Sequence, residues 1–289
     1  MHRPAAWLDA AAAILGGRPR RVMVLGPVDA GKSSFCGFLA AAASSAGLDV
    51  EGLCTDLGQK WIGPPACVTR GHTDGEGGLA LQDLAFVGTT DPVRGSQALI
   101  EGAARLAWQS RAEMVVMNTS GLLAGPGWAL KAKKIAALDP DCLVAVGDDL
   151  TFDRLLADYR GRLVVRVPSS PFARRKTEGE RRAARREAFR AYFADATVQP
   201  WPAEASGLEA DGSMLPRHLS ALAADGRDLG LGIAVEEGCL TPVGMAAVRA
   251  VRWGAIMVDE AFRDRPLAMP ERRPPNARNP ARREAEQGS

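Results

Sequence analysis

From residue 21 onward the chain alternates short apolar runs with longer stretches of helical periodicity. The runs at 22–25, 50–54, 114–117, 143–146 and 163–167 are apolar at nearly every position. Strands that read this way are covered on both faces, as the strands of a parallel sheet are. The intervening stretches at 33–46, 95–110, 129–138 and 152–159 have the length expected of covering helices. The pattern predicts an α/β protein, a parallel sheet flanked by helices. Ahead of it, the Ala-rich segment at 5–15, closed by Gly16 and Gly17, predicts a short helix leaning on that unit.

Segment 55–90 is rich in Gly, Pro and Asp, so short strands at 66–69 and 84–87 are expected among functional loops. A charged helix over 174–194 closes the unit. Pro200 and Pro202 then interrupt both helix and ladder and mark a boundary. Beyond it, 228–236, 239–242 and 248–258 predict the strands of a small β-rich domain. The last stretch is rich in Pro, Arg and Glu with almost no large apolar residue, which predicts disorder. The expected layout is an N-terminal helix at 1–19, the α/β unit with its Arg-rich helix at 20–198, a small C-terminal β domain at 199–264 and a disordered tail at 265–289.

Composition changes this picture little. The 289 residues carry 36 Lys plus Arg against 34 Asp plus Glu, a net charge of +2, so any nucleic-acid surface must come from local clustering. Cys36, Cys54, Cys67, Cys142 and Cys239 are scattered and odd in number, without metal-ligand spacing, and read as reduced thiols of a cytoplasmic protein. Asp9 interrupts the N-terminal apolar segment, and no 18-residue apolar span follows, so neither a signal peptide nor a membrane span is expected.

The chemistry concentrates in four places. Gly26, Pro27, Val28, Asp29, Ala30, Gly31, Lys32 and Ser33, with Ser34 beside them, join an apolar run to a helical one. Two glycines four residues apart followed by Lys and Ser form a P-loop. Glycines let backbone N–H groups curl around phosphate oxygens, the helix N-terminus adds a positive dipole, Lys32 bridges the outer phosphates and Ser33 ligates Mg²⁺. Asp56 ends the next apolar run and faces the bound phosphates if that run is a strand, which suits Mg²⁺ contact or a base; a turn residue would look the same. A GTPase would carry an Asn-Lys-x-Asp base reader, and none occurs. Asn118, Thr119, Ser120 and Gly121 follow another apolar run, either closing over a nucleotide or forming a capped turn. Finally, Arg174, Arg175, Lys176, Arg181, Arg182, Arg185, Arg186 and Arg190 stand against only Glu178, Glu180 and Glu187 in the late helix, which leans toward an anionic ligand over a solvated face.

Taken in order, these segments resemble the polynucleotide 5′-hydroxyl kinases of the Clp1/Grc3 type, in particular their compact archaeal-like members. Residues 26–33 look like the family P-loop, including Asp29. Asp56, Leu57, Gly58 and Gln59 followed by Ile62, Gly63, Pro64, Pro65 and Ala66 resemble its Walker B segment. Asn118, Thr119, Ser120 and Gly121 resemble its nucleotide clasp, Arg181 and Arg185 its arginine lid, and 229–233 with 240–243 its small β domain. The family clasp ends Gly-Trp, whereas Leu122 follows Gly121 here, so Trp61 becomes the aromatic candidate for stacking a strand's terminal base.

The resemblance implies transfer of the ATP γ-phosphate to the 5′-hydroxyl of RNA or DNA, with ATP and Mg²⁺ as small-molecule requirements. Lys32, Asp56, Gln59, Arg181 and Arg185 would carry catalysis. The P-loop with Ser34, Thr119, Ser120 and Gly121 would hold ATP, Ser33 and Asp56 the metal, and Gln59, Trp61, Arg182 and Arg186 the strand. Two alternatives remain at this level: an ATP-bound, catalytically silent scaffold docking an RNA-processing protein, and a kinase for a small metabolite.

Overall fold

The computed structural model describes residues 4–73, 78–147, 156, 157, 159, 161–170, 172–208 and 216–267. Its first sheet is built from β1 (Arg21–Leu25), β2 (Val50–Cys54), β3 (Cys67–Thr73), β4 (Leu79–Phe86), β5 (Met114–Asn118), β6 (Cys142–Val146) and β7 (Leu163–Val167). They lie in the order β4-β3-β2-β5-β1-β6-β7. β2, β5, β1, β6 and β7 run parallel, and β3 and β4 extend the edge antiparallel. β2, β5 and β6 are buried at every position, as the continuous apolar runs require.

Helices cover both faces. On one, α1 (Ala5–Gly17) and α2 (Lys32–Ser45) pack Trp7, Ile14, Phe35 and Phe38 over the sheet. The Trp7 and Phe35 rings meet edge to face, 5.2 Å between centroids. α1 ends at Arg18, whose left-handed backbone (φ 46°) returns its N–H to Leu15 O. On the other face, α3 (Ser96–Gln109) and α4 (Pro126–Leu138) bury Leu99, Leu106, Ile135 and Leu138.

A second, antiparallel sheet follows: β8 (Thr197–Gln199), β9 (His218–Ala224), β10 (Arg227–Val235), β11 (Gly238–Thr241), β12 (Ala250–Val258) and β13 (Asp264–Pro266), in the order β13-β12-β9-β10-β11-β8. Its edge strand β8 begins at 197, ahead of the boundary expected at 199, and β13 enters the stretch expected to be a tail. The remainder of that stretch, from 268, lies outside the described residues, as does most of the helix expected at 152–159.

Between the sheets runs α5 (Glu178–Tyr192). It starts later than the charge pattern suggested, because Thr177 and Glu180 form a reciprocal capping box that fixes its first turn. Phe189 and Phe193 anchor it in a cluster drawn from both sheets, with Phe86, Leu219, Leu231 and Ile233. Among the described residues no helix is long and apolar enough to cross a membrane.

Candidate active site

The parallel strands of the first sheet point their C-terminal ends toward one rim, and the loops there carry the chemistry. After β1 the chain turns through residues 26–31 into α2. Asp29 (φ 63°) and Gly31 (φ 95°) take left-handed backbone, and Gly31 caps α2 with no side-chain hydrogen bond, so the helix opens on bare N–H groups. Lys32, only 8% exposed, folds back to donate to Pro27 O at 2.7 Å. Burial pulls its ammonium below the usual lysine range, and Asp56 is the strongest opposing influence.

The loop after β5 lies directly against this turn. A Cβ on Gly121 would come within 2.5 Å of the Val28 N and Cα atoms, so only glycine allows the two backbones this close. Asn118 Nδ2 donates to Ser33 Oγ at 2.9 Å, and Thr119 Oγ1 donates to Val24 O at 2.8 Å. Asn118 Oδ1 and Ser120 Oγ are buried and have no protein partner, an unusual cost unless a ligand meets them.

Asp56 stands at the end of β2. Its Oδ1 accepts the N–H groups of Gly58 and Gln59, at 3.0 and 2.9 Å, which winds residues 56–59 into a tight turn. Lys60 stitches that turn to β3 by donating to Asp56 O and Cys67 O. Gln59 Nε2 donates to Arg181 O at 3.2 Å, joining the turn to α5. Arg181 in turn donates to Asp29, whose Oδ2 also takes the Lys176 N–H at 2.9 Å, so the P-loop and the entry to α5 are latched together.

These contacts bring Lys32, Ser33, Ser34, Asp56, Gln59, Thr119, Gly121 and Arg181 around one hollow of about 330 Å³, with the exposed Phe172 at its edge. A larger hollow of about 820 Å³ adjoins it, lined by Pro27, Ser169, Ser170, Arg174, Arg175 and Lys176. The other sequence candidates lie elsewhere. Arg185 pairs its guanidinium with Asp264 of β13 at 2.9 Å and does not line the hollow. Arg182 and Arg186 are exposed on the far side of α5, Arg182 paired with Glu178. The Trp61 ring packs over Gly52, where an added Cβ would stand 3.0 Å from it, and lines a separate hollow with Ile62, Leu81 and Tyr192.

Sequence reasoning overlooked the cations beneath the rim. Lys131 of α4, 1% exposed, donates to Thr119 Oγ1 at 2.8 Å and to Ser120 O. Lys134, fully buried, donates to Thr55 Oγ1 at 3.2 Å. Burial pulls Lys131 well below its ordinary range and Lys134 down to about 8, with Asp56 partly offsetting both. The available signal was their helical spacing: positions 131 and 134 share a face with the buried Leu130, Ile135 and Leu138.

Oxygen donors at Ser33 and Asp56 suit a hard divalent cation. Among the described residues no group of three His, Cys, Asp or Glu could hold a metal unaided. The donor set therefore fits a Mg²⁺ ion that shares its ligands with nucleotide phosphates, as this ion usually does.

A mixed sheet with parallel strands, a helix opening on a glycine-rich turn with Lys and Ser, and an acidic turn at the end of β2, one strand beyond β5, define a P-loop nucleotide-binding fold. Residues 26–195 match the family described as mRNA cleavage and polyadenylation factor CLP1 P-loop, and the chain belongs to it. The polyribonucleotide 5′-hydroxyl-kinase of Pyrococcus furiosus is 31% identical over 188 residues, covering 63% of this chain and 52% of that protein. That of Pyrococcus abyssi is 30% identical over the same length. The human polyribonucleotide 5′-hydroxyl-kinase Clp1 is 28% identical over 193 residues, 61% of this chain and 45% of that one. This chain thus spans about half the length of the curated relatives it matches. The solved complex of wild-type Clp1p with Pcf11p superposes with a TM-score of 0.67 at 13% identity, over 87% of this chain and 78% of that one, and has the same fold.

Proposed function

We propose that this protein transfers the γ-phosphate of ATP to the 5′-hydroxyl end of an RNA or DNA strand. The observation that carries the reading is the convergence of Lys32, Ser33, Asp56, Gln59, the 119–121 loop and Arg181 on one hollow at the strand ends. Such a reaction needs little covalent chemistry from the protein, and positioning with charge neutralisation does most of the work. Lys32 exchanges Pro27 O for the outer phosphates. The N–H groups opening α2 hold the β-phosphate, and residues 119–121 close over the triphosphate. Asp56, held by its own turn, orients or deprotonates the incoming hydroxyl, and Gln59 places the strand end. Arg181 leaves Asp29 to meet charge as the phosphoryl group moves. Ser33 and Asp56 would hold a Mg²⁺ ion, which would supply neutralisation of phosphate charge.

Relatives named polyribonucleotide 5′-hydroxyl-kinases support RNA as the acceptor. A Clp1p structure in complex with Pcf11p supports a protein partner for this chain as well. We read the chain as a kinase unit that ends ahead of β8, where the sequence suggested 198, with a small β unit running from β8 through β13, 197–266, in place of 199–264. The buried, reduced cysteines fit a cytoplasmic setting.

Arg185 acts in this reading as a strut between α5 and β13, and the exposed Arg182 and Arg186 as strand-binding cations. Incubating the protein with labelled ATP and 5′-hydroxyl oligoribonucleotides, oligodeoxyribonucleotides and free nucleosides in parallel tests the proposal. Labelled oligonucleotide that disappears in Lys32→Ala is expected. Labelling of nucleosides alone would make it a metabolite kinase, and ATP binding with no transfer would make it a scaffold.

A further inference from the structure

Lys131 and Lys134 form no ion pair among the described residues, although both are essentially inaccessible. Burying an ammonium without a paired carboxylate is expensive, and a long apolar side chain would fill the same space at lower cost. The two sit one turn apart on α4 and reach the ends of two different strands. Lys131 holds Thr119 and Ser120 after β5. Lys134 holds Thr55 after β2, and the Thr55 hydroxyl itself donates to Asn118 O at 3.0 Å. The pair therefore underlies both loops that face the 330 Å³ hollow. The charges around them are those of the rim: Asp56 attracts both, and Lys32 repels both.

We propose that Lys131 and Lys134 are positioning residues for the nucleotide, bracing the Thr55–Asp56 turn and the 118–121 loop from beneath while their positive field is balanced by the phosphates that enter above. This rests on the nucleotide-binding reading of the site, and accounts for a buried cation pair that the fold itself does not need. Their lowered proton affinity agrees, since an anion arriving at the hollow would restore what burial removes.

The test uses the full chain carrying Lys134→Met, which leaves the Thr55 hydroxyl still donating to Asn118 O, and Lys134→Gln, which retains a donor for Thr55 but no charge. Melting temperature and affinities for ATP, ADP and AMP are measured for each. Both variants should melt at or above the wild-type temperature yet bind ATP about 10-fold or more weakly, the loss shrinking from ATP to ADP to AMP as ligand charge falls. Lowered melting temperatures with unchanged nucleotide affinities in both variants would show a structural prop and overturn the proposal, leaving the kinase reading intact. A graded loss in the variants beside a wild type that binds ATP but transfers no phosphate would sink the kinase reading alone. A wild type that binds no nucleotide would overturn both.

Discussion

Asp56→Asn is the most informative single change, because the structure separates what the carboxylate does for the fold from what it does for chemistry. The amide oxygen of Asn can still accept the Gly58 and Gln59 N–H groups, so the turn should survive. Charged hydrogen bonds are worth about 1.5–3 kcal/mol and neutral ones about 1, so the loss over two partly exposed bonds is about 1–2 kcal/mol. For a protein of this size that is a fall in Tm of roughly 2–6 °C. The substitution also removes the anion that most supports Lys32 and Lys134, so both ammonium groups should titrate lower still. Turnover, by contrast, should drop by about two orders of magnitude or more, with ATP affinity largely kept, if Asp56 positions or deprotonates the acceptor hydroxyl. Rapid-quench transfer from labelled ATP gives the rate, and scanning calorimetry the stability. Asp56→Ala separates the two effects again: it should lower Tm further, since the turn loses its acceptor, without slowing transfer beyond the Asn variant. Near-normal turnover in Asp56→Asn would remove this residue from the mechanism.

Gly121→Ala should abolish ATP binding while the chain stays folded, because the new methyl meets Val28 backbone; ATP affinity within about threefold of wild type would show the contact to be loose. Arg181→Ala should lower kcat clearly with a smaller change in ATP affinity, whereas Arg185→Ala should mainly lower Tm by breaking its pair with Asp264, as steady-state kinetics beside thermal melts would reveal; equal kinetic losses would return Arg185 to the catalytic group. The Lys134 ammonium, pulled from 10.5 to about 8, makes the folded state hold fewer protons than the unfolded one between those values. Its destabilisation is thus full below pH 8 and relieved as pH rises toward 10.5, so Lys134→Met should be more stable than wild type at pH 7, by up to about 3 kcal/mol, with the gap closing in alkali; chemical denaturation across that range would show a constant gap if the lysine were unperturbed.

The first sheet was readable because β1, β2, β5 and β6 are apolar runs of strand length, and double burial leaves no other pattern, while β7, half-exposed at the sheet edge, was readable from its apolar run alone. The second sheet was readable only in part. β9, His-Leu-Ser-Ala-Leu-Ala-Ala, is buried at almost every position but carries neither β-branched residues nor alternation, so nothing local distinguishes it from helix. β3 and β4 proved longer than their apolar centres at 66–69 and 84–87, because their outer halves pair through polar residues such as Arg70 and Asp83. The P-loop was legible since its function depends on backbone shape that glycine spacing encodes. Arg185 was not: its Asp264 partner is 79 residues away, and helical spacing alone gives it the same face as Arg181. Lys131 and Lys134 were passed over because lysines on a helix ordinarily face water, and what buries them is packing between α4 and the strand ends.

The way α5 is seated has a bearing on how anything enters the hollow. Its C-terminal half is fastened by Phe189 at zero exposure, by the Leu231 N–H donated to the Tyr192 hydroxyl at 2.9 Å, and by Arg185 on Asp264. Swinging the whole helix outward would strip two phenylalanines of their cover, at about 2–3 kcal/mol each. Arg181 lies upstream of these fastenings, on a turn that meets the P-loop at Asp29 through the Arg181 guanidinium and the Lys176 N–H, and the Asp56 turn through Gln59 on the Arg181 carbonyl. The hollow therefore has one jamb fixed to the second sheet, and the part of that wall resting on side-chain torsions alone is the Arg181 guanidinium on Asp29.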